Sequence, residues 1–62
     1  MANMKKYLAK NLFESALTLR HFIHEYGNEL AGDVVPLEEL KQLDDMLGSV
    51  SKKAFNFAVD AN

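Results

Sequence analysis

Two histidines and one glutamate on the predicted first helix are the side chains best suited to hold a metal ion. His21 and Glu25 stand one helical turn apart, and His24 is near enough to share an ion with them. A structural zinc site takes four protein ligands, but the chain has no cysteine and no further histidine. A second chain would have to supply the rest, and solvated histidines on a helix surface are far commoner. We therefore predict no metal and no cofactor.

Two pairs of neighbouring acids, Glu38-Glu39 and Asp44-Asp45, are the residues that could suggest acid–base catalysis. Adjacent side chains on a helix point about 100° apart, so neither pair converges on one substrate atom. The sequence has no Gly-rich phosphate loop and no nucleophile beside a base. A helical hairpin also offers little concavity for a substrate. We predict no catalytic residues and no enzymatic activity.

A third group of residues could bind nucleic acid or a protein partner. Its members recur at intervals of four and three, so they share one face of the first helix, roughly 120° from that helix's core stripe. Cations on such a face can contact phosphates while an aromatic ring stacks on a base. We call this outer face of helix 1 the basic face; it consists of Lys6, Lys10, Phe13, Leu17, Arg20 and His24.

The elements that must position these residues are two long amphipathic helices. Apolar residues recur at intervals of three and four in both halves of the chain, which is typical of helices packed lengthwise against other helices. The stripe of helix 1 is Leu8, Leu12, Ala16, Leu19, Ile23, Tyr26 and Leu30. The stripe of helix 2 is Leu40, Leu43, Leu47, Val50, Ala54, Phe57 and Ala61.

One clear break separates the two stripes. Gly32 can end the first helix in a left-handed conformation, and Pro36 suits the first turn of the second. The sequence predicts one domain, residues 1–62, with helix 1 over about 4–31, a turn at 32–35 and helix 2 over about 36–61. Gly48 is the weak point of helix 2, because a glycine there costs about 1 kcal/mol relative to alanine. A break at Gly48 would give the alternative, a three-helix bundle.

Size and composition indicate that the hairpin is stabilised by self-association. The chain has 62 residues, 48% of them apolar, and no cysteine for a disulfide. Folds this small usually need a disulfide, a metal or a partner chain. We predict that two antiparallel two-helix hairpins form an all-α four-helix bundle. The predicted dimer and core seam consists of Leu12, Leu19, Ile23, Tyr26, Leu40, Leu43, Leu47, Val50 and Phe57.

Charge is divided between the two ends of such a hairpin. The end that holds the chain termini, residues 1–16 and 49–62, carries five lysines and two carboxylates. The loop half, residues 17–48, carries two cations and seven carboxylates. Two hairpins should therefore lie antiparallel in the dimer, although each exposed pair contributes only tenths of a kcal/mol. The net charge of −2 argues against coating nucleic acid through bulk charge, and no apolar run approaches the roughly 18 residues of a membrane span.

The length, the hairpin architecture and the Lys10-to-Phe13 neighbourhood resemble the Rop family of plasmid RNA-binding regulators. This resemblance implies a dimer whose two first helices hold paired RNA loops. Leu17 departs from the polar character of such a face, and Arg20 and His24 match nothing specific in the family. Phe13 and Leu17 could instead be the second edge of a buried helix.

Two functions therefore remain open. The first is a small cytoplasmic interaction or regulatory module that works by contact as a homodimer, with another protein as a further possible partner. The second is a Rop-like RNA-binding regulator that uses the basic face. Neither reading involves a membrane.

Overall fold

The computed structural model describes residues 3–60 and consists of two antiparallel α-helices joined by a short turn. α1 spans Asn3–Leu30 and α2 spans Leu37–Asp60. The predicted all-α hairpin is therefore confirmed. The described part of the chain forms a rod 45 Å long and about 14 Å wide, and neither of its helices has the length and apolarity needed to cross a membrane. Ala61 of the predicted stripe lies outside the described residues.

The turn between the helices is closed by backbone hydrogen bonds. Gly32 has a φ of +88°, the left-handed conformation that glycine adopts without a steric penalty. The Leu30 carbonyl accepts hydrogen bonds from the amides of Val34 at 2.9 Å and Val35 at 3.2 Å, and the Gly32 amide donates to the Val35 carbonyl at 2.7 Å. The Pro36 carbonyl then accepts the first hydrogen bonds of α2. These bonds satisfy backbone groups that both helix ends would otherwise leave unpaired.

α2 continues through Gly48, so the alternative of three helices is wrong. The reason for a glycine at this point lies on the other helix. A Cβ atom on Gly48 would lie 3.0 Å from Nη1 of Arg20, whose guanidinium crosses over the backbone there. One turn further on, the buried Ser51 hydroxyl donates a hydrogen bond to the Gly48 carbonyl at 2.9 Å. Glycine lowers the helix propensity of α2 at this point. Its missing side chain, however, leaves room for the Arg20 guanidinium of α1 to lie against the α2 backbone.

Most side chains along the contact line between the helices are small. We call this line the hairpin seam. Its five buried members are Ala16, Ile23, Leu40, Ser51 and Ala54. Only two of these are large apolar side chains, so the hairpin buries little apolar surface for a chain of this length.

The glycine at position 48 can be tested against the glycine at position 27, where a Cβ would meet nothing within 4 Å. Gly27→Ala should raise the free energy of unfolding by about 0.5–1 kcal/mol, because alanine is the better helix former. Gly48→Ala should gain clearly less, because its Cβ must displace the Arg20 guanidinium. Urea unfolding followed by circular dichroism, at one protein concentration, measures both changes. In an Arg20→Ala background the two glycine substitutions should become equivalent; a difference that persists there would contradict the explanation.

Candidate interaction surfaces

Two exposed surfaces flank the hairpin seam, one on each side. The first, which we call the apolar face, carries large side chains that the hairpin itself leaves in solvent. Leu19 and Phe22 of α1 line one groove together with Leu43 of α2, so both helices contribute to the same side. Helical geometry places the other members in line with these. The apolar face consists of Leu8, Leu12, Leu19, Phe22, Tyr26, Leu43 and Phe57.

The apolar face is exposed to an unusual degree for side chains of this kind. Leu12, Phe22 and Tyr26 are 50%, 47% and 49% exposed, and Phe57 is 46% exposed. The rings of Phe22 and Tyr26 lie 5.0 Å apart, centroid to centroid, along the outside of α1. The groove on this face has a volume of about 340 Å³ and reaches the turn at Val35. A continuous apolar surface of this type marks an interaction site more often than a solvated face.

The nine residues predicted as one dimer and core seam therefore divide into two sets. Ile23 and Leu40 are buried between the two helices of the hairpin, and Leu47 and Val50 are half-buried. The other five are exposed on the apolar face: Leu12, Leu19, Tyr26, Leu43 and Phe57. The division arises because a helix contacts one neighbour along a narrow line, whereas each predicted stripe is wider than that line.

On the opposite side of the seam, the two helices are joined by an ion pair. Arg20 Nε donates to Asp44 Oδ1 at 3.0 Å, and Arg20 Nη2 lies 3.3 Å from Asp44 Oδ2. His24 Nε2 lies 2.9 Å from the same Oδ1 atom. The hydrogen bond from Arg20, followed by that from His24, lowers the pKa of Asp44, and the same contact with Asp44 raises the pKa of Arg20. Two residues of the basic face, Arg20 and His24, are thus engaged with α2.

Asp44 was not predicted as an interacting residue, because it was considered only as part of a possible catalytic pair with Asp45, and that pair was rejected. The position of Asp44 in the sequence could have identified it as a residue that contacts the other helix. Asp44 falls one turn after Leu40 and three residues before Leu47, so it lies in the contact line of α2. A carboxylate in such a line needs a cationic partner, and Arg20 falls at the corresponding position of α1, between Ala16 and Ile23.

Nearer the chain termini, the same side of the hairpin holds an aromatic cleft between the helices. The rings of Phe13 and Phe55 lie 5.1 Å apart with their planes at 46°. Phe55 is 46% exposed and Val59 is 56% exposed. We call this the aromatic cleft; its volume is about 240 Å³, and it is lined by Lys10, Phe13, Glu14, Phe55, Ala58 and Val59.

Phe55 was missed as a site residue because it lies off the apolar stripe of helix 2. Leu17, the other apolar residue of the basic face, is 42% exposed, so it is not a buried edge of α1 within the hairpin. Phe13 is half-buried through its contact with Phe55. Within the hairpin, Phe13 is therefore half-buried against α2 and Leu17 is exposed, and both readings of this face stay predictions.

The lysines of the basic face have no internal partner among residues 3–60. The ion pairs in that range join Arg20 to Asp44, His24 to Asp44 and His21 to Glu25. Lys6 and Lys10 take part in none of them. These two cations are therefore available to groups outside the hairpin.

The candidate metal ligands of α1 do not converge. His21 Nε2 and Glu25 Oε1 are 3.8 Å apart and exposed, whereas His24 turns to Asp44 on the other helix. Within the part of the chain that the structure describes, no three histidine or carboxylate side chains are grouped as metal ligands would be.

No known protein family, curated protein or solved structure shows a significant match to this chain.

Acid should weaken the contact between the helices by protonating Asp44. A carboxylate whose pKa is lowered on folding stabilises the fold above its ordinary pKa of about 3.9. That contribution is lost as the pH falls through the lowered pKa that Asp44 has in the folded chain. Asp44→Asn should therefore reduce the free energy of unfolding at pH 7, and the gap to the unsubstituted protein should close toward pH 2.5. Urea unfolding across this pH range measures the gap.

Asp45→Asn is the matched control, because Asp45 is exposed and makes no side-chain hydrogen bond among the described residues. It should show a smaller gap at every pH. A gap for Asp44→Asn that stays constant down to pH 2.5 would mean that the carboxylate charge contributes nothing.

Proposed function

We propose that this chain is a small non-enzymatic interaction module that acts as a homodimer through its apolar face. The exposure of that face is the observation that carries the proposal. Its large side chains run along both helices on one side, and the hairpin alone leaves them in water. Covering them with a second copy would form a four-helix bundle. The proposed setting is the cytoplasm.

One side of a rod 45 Å long offers about the area that a stable dimer interface needs. A standard specific interface takes about 800 Å² from each partner. The described hairpin has 4979 Å² of accessible surface, so such an interface needs roughly a sixth of it. One side of a two-helix rod is of that order. The interface would also add buried apolar area to a seam that is composed mainly of small residues.

A second copy suits this face better than an unrelated chain, because the face has both projecting side chains and a groove that can receive such side chains. Phe22 and Tyr26 project from α1, while the groove beside Leu43 and Val35 can receive a projecting side chain. In a two-fold dimer, each copy inserts its projecting residues into the groove of the other. If a different protein covers this face instead, the sedimentation measurement below should find the chain alone as a monomer.

The alternative function is a Rop-like RNA-binding regulator that uses the basic face of α1. The observation in its favour is that Lys6 and Lys10, next to Phe13, have no carboxylate partner among the described residues. The observation against it is that Arg20 and His24 contact Asp44 and so are not free for phosphates. RNA binding with a steep dependence on salt, lost in Lys10→Ala and Phe13→Ala, would support this alternative.

Two leucines of α1 provide a sharp test of the dimer. Leu19 lies on the apolar face and Leu17 on the basic face, and each is 42% exposed. Leu19→Glu places a charge inside the proposed interface and should convert the protein to a monomer at micromolar concentration. Leu17→Glu makes the same chemical change outside the interface and should leave the dimer intact. Sedimentation velocity reports the mass relative to the 7.0 kDa chain.

Three results would contradict the proposal. The unsubstituted chain could sediment as a monomer at micromolar concentration, which would leave the apolar face to a different protein. Leu17→Glu could dissociate the dimer as fully as Leu19→Glu. Leu17→Glu alone could dissociate it, which would place the interface on the basic face.

The orientation of the two hairpins can be measured with one label. Asp33 is exposed at the turn, and the chain has no cysteine, so Asp33→Cys introduces a unique attachment site. In an antiparallel dimer the two turns lie at opposite ends of a rod 45 Å long. Double electron–electron resonance between spin labels should then give about 40 Å, from the rise of a helix of this length. A distance of about 20 Å or less would indicate hairpins that lie parallel, because both turns would then be at one end.

A further inference from the structure

We propose that the aromatic cleft binds an acidic segment of a partner protein, with one apolar side chain of that segment inserted between the helices. This inference deepens the proposed function, because it names the partner chemistry of a module that acts by contact. The cleft lies near the open end of the hairpin, on the side away from the apolar face. A dimer formed through the apolar face would therefore leave the clefts of both copies accessible.

The floor of the cleft is apolar and has room for a side chain. Phe13 and Phe55 form its aromatic wall, and Ala58 and Val59 complete it on α2. The small side chain of Ala58 leaves space beside the exposed Val59. A leucine or phenylalanine of a partner could contact both rings there and remove their exposed surface from water.

The rim of the cleft is basic on balance, since three lysines surround it and Glu14 is the one carboxylate among its lining residues. Lys10 lines it directly, Lys6 lies one turn before Lys10, and Lys52 lies about one turn before Phe55 on the same side of α2. No ion pair among residues 3–60 uses any of these lysines. An acidic segment would supply the missing counter-charges, and opposite charge at a rim favours both association and the correct register. The apolar floor and the basic rim together specify an acidic segment with an apolar anchor.

A protein segment suits this cleft better than RNA does. Only two of the six lining side chains, Lys10 and Glu14, have polar groups that could contact a base edge. Arg20, the one arginine of the chain, is held by Asp44. The chain also has a net charge of −2, which opposes a long polyanion more than a short peptide.

The test is a nuclear magnetic resonance titration of the ¹⁵N-labelled full chain with a designed peptide. The probe is a 15-residue peptide with blocked ends, rich in glutamate, with leucine and phenylalanine spaced four residues apart. The comparison probes are a peptide in which lysine replaces every glutamate, and an RNA stem-loop. The acidic peptide should shift the amide signals around Phe13 and Phe55 and leave those around Leu43 unchanged. The lysine peptide should shift neither group.

Two matched pairs of variants locate the binding site. Lys10→Glu reverses a charge at the rim and should weaken peptide binding roughly tenfold, since it replaces attraction by repulsion. Lys53→Glu makes the same change about 200° around α2 from Phe55 and should leave binding within a factor of two. Val59→Ser should weaken binding, whereas Val34→Ser, the same change at the exposed turn, should have no effect. Chemical shifts of the free variants show whether each has kept the fold.

Four outcomes would overturn the inference. The acidic peptide could fail to bind, or it could shift the signals of the apolar face instead. Lys10→Glu and Lys53→Glu could weaken binding equally, which would indicate net charge alone. The RNA stem-loop could shift the cleft signals while the peptide does not, which would favour the RNA alternative. The monomeric variant Leu19→Glu separates this inference from the dimer, because it should still bind the peptide.

Discussion

Two antiparallel helices can bury only one line of side chains between them, and the composition of that line governs the rest of this molecule. Here the line combines small residues, such as Ala16, Ser51 and Ala54, with only two buried large apolar ones, Ile23 and Leu40. Small residues let the helices approach closely enough for Arg20 to cross over Gly48. The consequence is that most of the large apolar side chains lie outside the seam, on surfaces that water or a partner must cover.

The close approach also explains why the two sides of the hairpin differ. On one side, Arg20 and His24 of α1 hold Asp44 of α2, and this partly buried contact links the two helices. On the other side, no comparable polar contact among residues 3–60 interrupts the large apolar residues, and both helices add to one continuous surface. A polar link on one side and an apolar surface on the other therefore give the two sides of the hairpin different chemistry.

Much of the architecture could be predicted from the sequence because it depends on local chemistry. The period of the apolar residues indicates helices, and Gly32 and Pro36 mark the turn through their backbone preferences. The identity of the contact line could not be predicted in the same way. Residues such as Ile23 and Leu19 belong to one stripe by spacing, yet one is buried and the other is not, because burial depends on the rotation of each helix about its axis. That rotation is set by the partner helix and not by the residue itself.

The sequence by itself determined the two helices, the turn, the absence of disulfides and the division of charge between the two ends. Each of these follows from residue identity and from neighbours within one or two turns. Only the tertiary structure decided that Arg20 meets Asp44, that Phe13 meets Phe55 and that Leu19 and Leu17 point to opposite sides of the hairpin seam. The physical reason is that these contacts join residues 24 or more positions apart, or depend on where the second helix lies. The apolar stripe already predicted that helix 2 continues through Gly48, whereas only the tertiary structure places the Arg20 guanidinium against this glycine, because the two residues lie on different helices.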